Sequence, residues 1–184
     1  KIPVFPVNHI EGHILSAEMH EPTLKPPYLA LVVSGGHTEI LHVKGLGQYE
    51  CLCRTRDDAA GEAFDKSANL LELQYPGGAR LAGWADKGKA SPRVAREMED
   101  FSFSGLKTAV MLMVKKNRED LFSNPDVFAD ACWTIQDAIV DPLVTKVSRE
   151  VSSRRVPLVV CGGVSANSAL RHCRSAEFAD TPPH

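Results

Sequence analysis

The sequence predicts an α/β fold. Tyr28 to Thr55 carries apolar, partly β-branched segments separated by Gly35-Gly36 and by Gly45 to Gly47, the pattern of an antiparallel meander. Amphipathic helical segments fill most of the chain that follows. A last apolar segment, Val156 to Cys161, ends in the Gly-rich "GGVSAN" and leads into another helix.

Each element has a local cause. "IPVFPV" reads as a short buried strand running to Asn8, and Asn8 suits the cap of a helix from His9 to about Met19. "EPTLKPP" is Pro-rich and reads as a linker. Tyr28 to Ser34, Thr38 to Lys44 and Tyr49 to Thr55 are the three meander strands. A helix is expected from about Asp58 to Leu73, with Asp57-Asp58 suiting its positive end. "YPGG" breaks the chain before a helical Ala79 to Lys87, and Lys89 to Asp100 is polar and irregular. A helix opens near Ser104, with Ser104 as its cap and Phe103 as a hydrophobic staple. Asp126 to Ser153 forms a long helix that Pro142 should kink. Val156 to Cys161 is a buried strand, Ala166 to Cys173 the next helix, and the tail from Ala176 has no pattern. This order fits an incomplete ribonuclease-H-like lobe, the building block of actin-like ATPases, which clamp a nucleotide between two such lobes.

Bulk composition narrows the class. At 184 residues, with 43% hydrophobic and 24% charged residues, the chain has the make-up of a globular domain. A net charge of -2 gives no sign of a nucleic-acid-binding surface, "SSRRVP" being the densest basic cluster. Five cysteines, an odd count without a secreted framework, suit reduced thiols in a cytosolic setting. No apolar run is long enough to span a membrane. The chain opens on Lys1 inside an apolar stretch and so reads as a cut from a longer protein.

Several short stretches could carry chemistry. In Val32-Val33-Ser34-Gly35-Gly36-His37-Thr38, glycines at a hairpin tip let backbone N–H groups approach an anion, with Ser34 and Thr38 as further donors. A plain turn would also explain the glycines. Asp58, Glu62 and Asp65 share one expected helix face beside small residues, suiting ribose hydroxyls or a hydrated cation; a solvated acidic helix start is the plainer account. "YPGG" could wall a base or ribose. Lys107 in a first helical turn opposes the dipole and suits an anionic partner. "GGVSAN" lies where ligands favour the carboxyl end of a strand, and Asn167 can donate and accept at once. His9 and His13 stand four apart on one helix face, spacing that allows two imidazoles to share a metal. Glu11 lies off that face, unlike the acid of HExxH, and a third ligand must come from elsewhere.

Taken in order, "NHIEGH", "LVVSGGHTEIL", "GQYE", "DDAAGEAFDK", "YPGG", "DFSFSGLKTAV" and "CGGVSANSALR" resemble the TsaD/Gcp family of tRNA adenosine threonylcarbamoyltransferases. The resemblance implies the actin-like ATPase fold and transfer of a threonylcarbamoyl group from threonylcarbamoyl-AMP to N6 of adenosine 37 in tRNAs reading codons that begin with A. It implies His9 and His13 as ligands of one divalent metal, iron or zinc. It implies Val32, Val33, Ser34, Gly35, Gly36, Asp65, Gly78 and Asn167 as contacts of ATP or threonylcarbamoyl-AMP. It also implies tRNA, a paralogous subunit and a small ATPase as partners, with a homodimer as a further form, in the cytoplasm and away from membranes. No side chain is assigned as general base.

Departures from the family pattern are equally informative. A "GIETSCDET"-like opening, the "TDN" segment with its metal-binding Asp, and an "FPRP" stretch are absent; Ala79 stands where Pro follows "YPGG", and Asp180 has the wrong context to replace the missing Asp. The chain therefore reads as an internal fragment: residues 1–27 end an N-terminal lobe and carry the metal helix, and residues 28–184 form a truncated second lobe. Such a fragment is expected to hold metal weakly and to have little transferase activity. The alternatives are a metal-dependent, glycoprotease-like hydrolase and a non-catalytic partner subunit of the same fold.

Overall fold

The structure is a computed structural model and describes residues 2–89 and 101–177, with side chains described as far as residue 172. The expected irregularity after residue 89, the terminal tail from residue 178 and Asp180 lie outside the described residues.

Helix α1 (His9–His20) starts where the cap chemistry predicts: Asn8 Oδ1 accepts from Ile10 N at 2.9 Å and from Glu11 N at 3.2 Å. Strands β1 (Tyr28–Val33), β2 (Thr38–Gly45) and β3 (Gln48–Arg54) form the expected meander, and β4 (Leu158–Cys161) joins it. The sheet order is β3-β2-β1-β4, with β4 parallel to β1 and Val32 opposite Cys161. The opening stretch corrects the sequence reading. Ile2, Val4, Phe5 and Val7 are exposed and in no strand. Pro3 and Pro6 offer no N–H to a ladder, and no described strand pairs there.

Helices α2 (Ala60–Leu70), α3 (Gly77–Ala85), α4 (Ser104–Lys116), α5 (Arg118–Ser123) and α6 (Pro125–Arg154) pack on one sheet face; a short 3-10 turn (Gly163–Ala166) leads to α7 (Ser168–Glu177). The α6 spine buries Ile135, Ile139, Leu143 and Val147 against Leu29, Leu31 and Ile40. The opposite face, lined by Tyr28, Ala30, Val32, Leu41 and Val43, receives Ile14 and Ile10 of α1. Helix α6 runs unbroken through Pro142. It ends at Arg155, whose φ of 53° is left-handed.

Two further boundaries differ from the sequence reading. Helix α2 begins two residues later than Asp58 and so excludes it. Ser104 is the first residue of α4 and Phe103 occupies the cap. Asp57 supplies the missing acceptor: it takes hydrogen bonds from Ser102 Oγ at 2.5 Å, Phe103 N at 2.8 Å and Ser104 Oγ at 2.8 Å. Partial desolvation pushes the Asp57 carboxyl up, and these donors outweigh it and hold it below the usual carboxylate range.

Candidate functional site

The parallel strands β1 and β4 end side by side, and their two glycine-containing loops meet there. Gly162 has a φ of +93°, and a Cβ on it would stand 2.4 Å from the Val33 carbonyl oxygen. On the other side, a Cβ on Gly61 would stand 2.6 Å from the Ser34 carbonyl oxygen. The end of β1 is thus gripped between two backbone segments that only glycine allows so close. Gly61 N donates to Ser34 O at 3.2 Å.

Within the hairpin, Ser34 N donates to His37 O at 2.8 Å, and His37 N donates to Ser34 Oγ at 3.1 Å. Gly35 and Gly36 are exposed at the tip, with nothing near the position of a Cβ. Thr38 departs from the donor role read for it: it is buried, and its Oγ1 accepts from Ala60 N at 2.8 Å, capping α2 from the neighbouring strand. Val32 and Val33 are fully buried, backbone included, in β1 between β2 and β4.

The predicted acidic face is divided. Lys66 Nζ pairs with Asp58 at 2.7 Å and with Glu62 at 2.9 Å, which occupies both acids with a cation of the same chain. Asp65 instead accepts from Gly78 N at 2.9 Å, bringing two predicted ligand contacts together and capping α3. At the β4 end, Asn167 Oδ1 accepts from Leu170 N at 3.1 Å, and its Nδ2 donates to Gln136 Oε1 at 2.8 Å.

Helix α1 brings the histidines to the hairpin. The His9 and His13 rings lie 4.6 Å apart, edge to face, and His9 lies 5.6 Å from the ring of His37. The two imidazoles are thus neighbours on successive turns of α1, as their spacing predicts. Among the described residues no set of three His, Cys, Asp or Glu side chains stands ready to hold a metal. Glu11, between the pair in sequence, accepts from the Tyr49 hydroxyl at 2.6 Å. Glu18, further along α1, accepts from the Tyr28 hydroxyl at 2.7 Å. Burial, then the bond to the acid, pushes both phenols up.

A family model described as tRNA N6-adenosine threonylcarbamoyltransferase (TsaD) matches residues 1–183. The chain belongs to the TsaD family. Among its relatives of that name, the Nitrosomonas eutropha protein is 48% identical over 177 residues, covering 92% of this chain and 51% of the relative. The Syntrophus aciditrophicus protein is 48% identical over 181 residues, covering 93% of this chain and 52% of the relative. The chain spans about half the length of the curated TsaD relatives it matches. Two solved structures share the fold. One is component A of Acidaminococcus fermentans (R)-2-hydroxyglutaryl-CoA dehydratase, with a TM-score of 0.56 at 17% identity, covering 92% of this chain and 58% of that one. The other is the activator of Clostridium difficile 2-hydroxyisocaproyl-CoA dehydratase with bound ADPNP, with a TM-score of 0.52 at 16% identity, covering 85% and 53%.

His37 and Gln136 are the neighbours of predicted ligands that the sequence reading leaves without a role. His37 stands inside a quoted motif, and its signal was that a turn needs no imidazole. Gln136 gives one faint signal, an amide on the apolar face of α6.

Proposed function

We propose that the full-length protein transfers the threonylcarbamoyl group from threonylcarbamoyl-AMP to N6 of adenosine 37 in tRNAs that read codons beginning with A. The reading rests on family membership, and one observation carries its chemistry: the 5.6 Å contact of His9 with His37 puts the imidazole pair at the hairpin read as anion-binding. In this reading the described residues are part of an actin-like ATPase fold. Residues 1–27 end one lobe, and residues 28–184 belong to the second, ribonuclease-H-like lobe.

The residues take the following parts. Buried Val32 and Val33, with Ser34, hold in place the exposed tip glycines Gly35 and Gly36, whose N–H groups can meet the phosphate of the adenylate. Asp65, fixed by Gly78 N, and Asn167, fixed by Gln136, border the nucleoside. His9 and His13 hold a divalent iron or zinc ion, completed by a donor from outside the described residues. Bound there, the metal supplies Lewis-acid polarisation of oxygens on the transferred group. Partners in this reading are tRNA, a paralogous subunit and a small ATPase, with a homodimer as another form, and the setting is cytoplasmic. No described helix is long and apolar enough to cross a membrane.

The hydrolase alternative loses support, because Glu11 is committed to Tyr49. The test is complementation: the full-length gene should restore threonylcarbamoyladenosine to a strain lacking the transferase, and its His9→Ala form should not. Failure of the unmodified gene to restore the nucleoside sinks the reading.

A further inference from the structure

Gln136 lies in the middle of α6, 3% exposed, on the face of the helix that carries the main apolar core. A buried amide costs free energy unless its polar atoms are bonded. Its Oε1 has a partner across 31 residues of sequence, Asn167 Nδ2 at 2.8 Å. On its other side Asn167 Oδ1 caps α7 through Leu170 N at 3.1 Å.

These two bonds fix the sense of the Asn167 amide. A side-chain amide has two N–H donors and an oxygen with two lone pairs. Leu170 takes one lone pair and Gln136 one N–H. Flipping the amide would set NH2 against the Leu170 N–H and oxygen against the Gln136 oxygen, two repulsive contacts in place of two bonds. One N–H and one lone pair are then left, adjacent and in a fixed order, on a half-buried residue at the carboxyl end of β4.

We infer that Gln136 is a positioning residue: acting through Asn167, it presents a donor–acceptor pair of fixed polarity to the nucleoside part of a nucleotide. A nucleoside suits it because a ribose hydroxyl pair or an adenine edge offers the matching acceptor and donor side by side. This inference rests on the reading of Asn167 as a nucleotide contact given above.

The test is ATP and ADP affinity, by calorimetry, in the full-length protein. Gln136→Met should weaken binding about tenfold. Gln136→Glu, which keeps the acceptor, should stay within about threefold of the parent. Asn167→Ala should weaken binding, and the double variant Gln136→Met/Asn167→Ala should bind no more weakly than Asn167→Ala alone. A purely structural role for Gln136 would instead add to the Asn167 loss and would not be rescued by Glu. Parent-like binding by Gln136→Met, while Asn167→Ala binds weakly, overturns the positioning role and leaves the nucleotide reading intact. Parent-like binding by Asn167→Ala overturns both. If Gln136→Met does not fold, Asn167→Asp keeps the α7 cap and removes the N–H that Gln136 holds. Asn167→Asp should then bind clearly more weakly than the parent, and parent-like binding overturns the inference.

Discussion

The Tyr49 hydroxyl donates to Glu11 Oε1 at 2.6 Å, tying the acid between His9 and His13 to the edge strand β3. With the Tyr28 bond to Glu18 at 2.7 Å, it fastens α1 to the sheet at two points on either side of Ile14, the buried residue of that helix. The acid in "NHIEGH" orients the helix that carries the histidines.

Tyr49→Phe removes the first fastening while keeping the ring. A hydrogen bond of this kind contributes about 1 kcal/mol. The amides of α1 should exchange faster with solvent by about fivefold, while those of α6 keep their protection. Unchanged exchange in α1 would show that the bond holds nothing in place.

Metal content tests the histidine pair. Full-length protein should carry about one iron or zinc ion per chain, and His9→Ala should lose most of it, because one imidazole cannot hold the ion alone. Elemental analysis after gel filtration decides it; full occupancy in His9→Ala would remove His9 from the ligand set.

Gly61→Ala should lower the thermal midpoint by the equivalent of about 1–3 kcal/mol, since the new methyl meets the Ser34 carbonyl, backbone that cannot rotate away. Gly12→Ala is the control. Its Cβ would meet nothing within 4 Å, and the change should be neutral or stabilising by up to about 1 kcal/mol. Equal midpoints for the two variants would contradict the close approach.

Asp57 should make acid stability pH-dependent. Its folded carboxyl titrates below the usual range, so its contribution is present above the ordinary carboxylate value of about 4 and fades as pH falls through the lower, folded one. Asp57 is exposed, and solvent screening limits the effect to about 1 kcal/mol or less. Asp57→Asn should flatten that part of a midpoint-against-pH curve; an unchanged slope would exclude Asp57.

Burial pushes the Cys132 thiol up to about 12 and the Cys161 thiol up to about 11. Both should resist iodoacetamide at pH about 8 in the native chain and react once it is unfolded, as read by mass spectrometry. Native-state labelling of either one as fast as exposed Cys51 would contradict the packing.

The meander and the start of α1 were legible because their causes are local: alternating apolar runs, turn glycines, and an Asn that caps its own helix. Strand alternation alone would put Cys51 and Cys53 on one face; Cys51 is exposed and Cys53 buried because the ladder shifts register between Ile40 and Leu41, their partners on β2. The exposed "IPVFPV" misled because apolar composition resembles a strand while its prolines deny one. The caps supplied from a distance were not legible. Thr38 caps α2 across 22 residues, and Asp57 receives Phe103 N across 46. The site shows the same division. His9 and His13 could be paired from spacing, whereas His37 joins them through the packing of α1 beside the hairpin. Asp58 and Glu62 looked available until Lys66 was seen to bridge them.

The cap that Thr38 gives α2 also has a mechanical meaning. The hairpin tip holds the first turn of α2 through Thr38 Oγ1 and Ser34 O, and α2 holds the first turn of α3 through Asp65. Hydrogen bonds thus run without a break from the two residues flanking the glycine tip, through α2, to the first turn of α3.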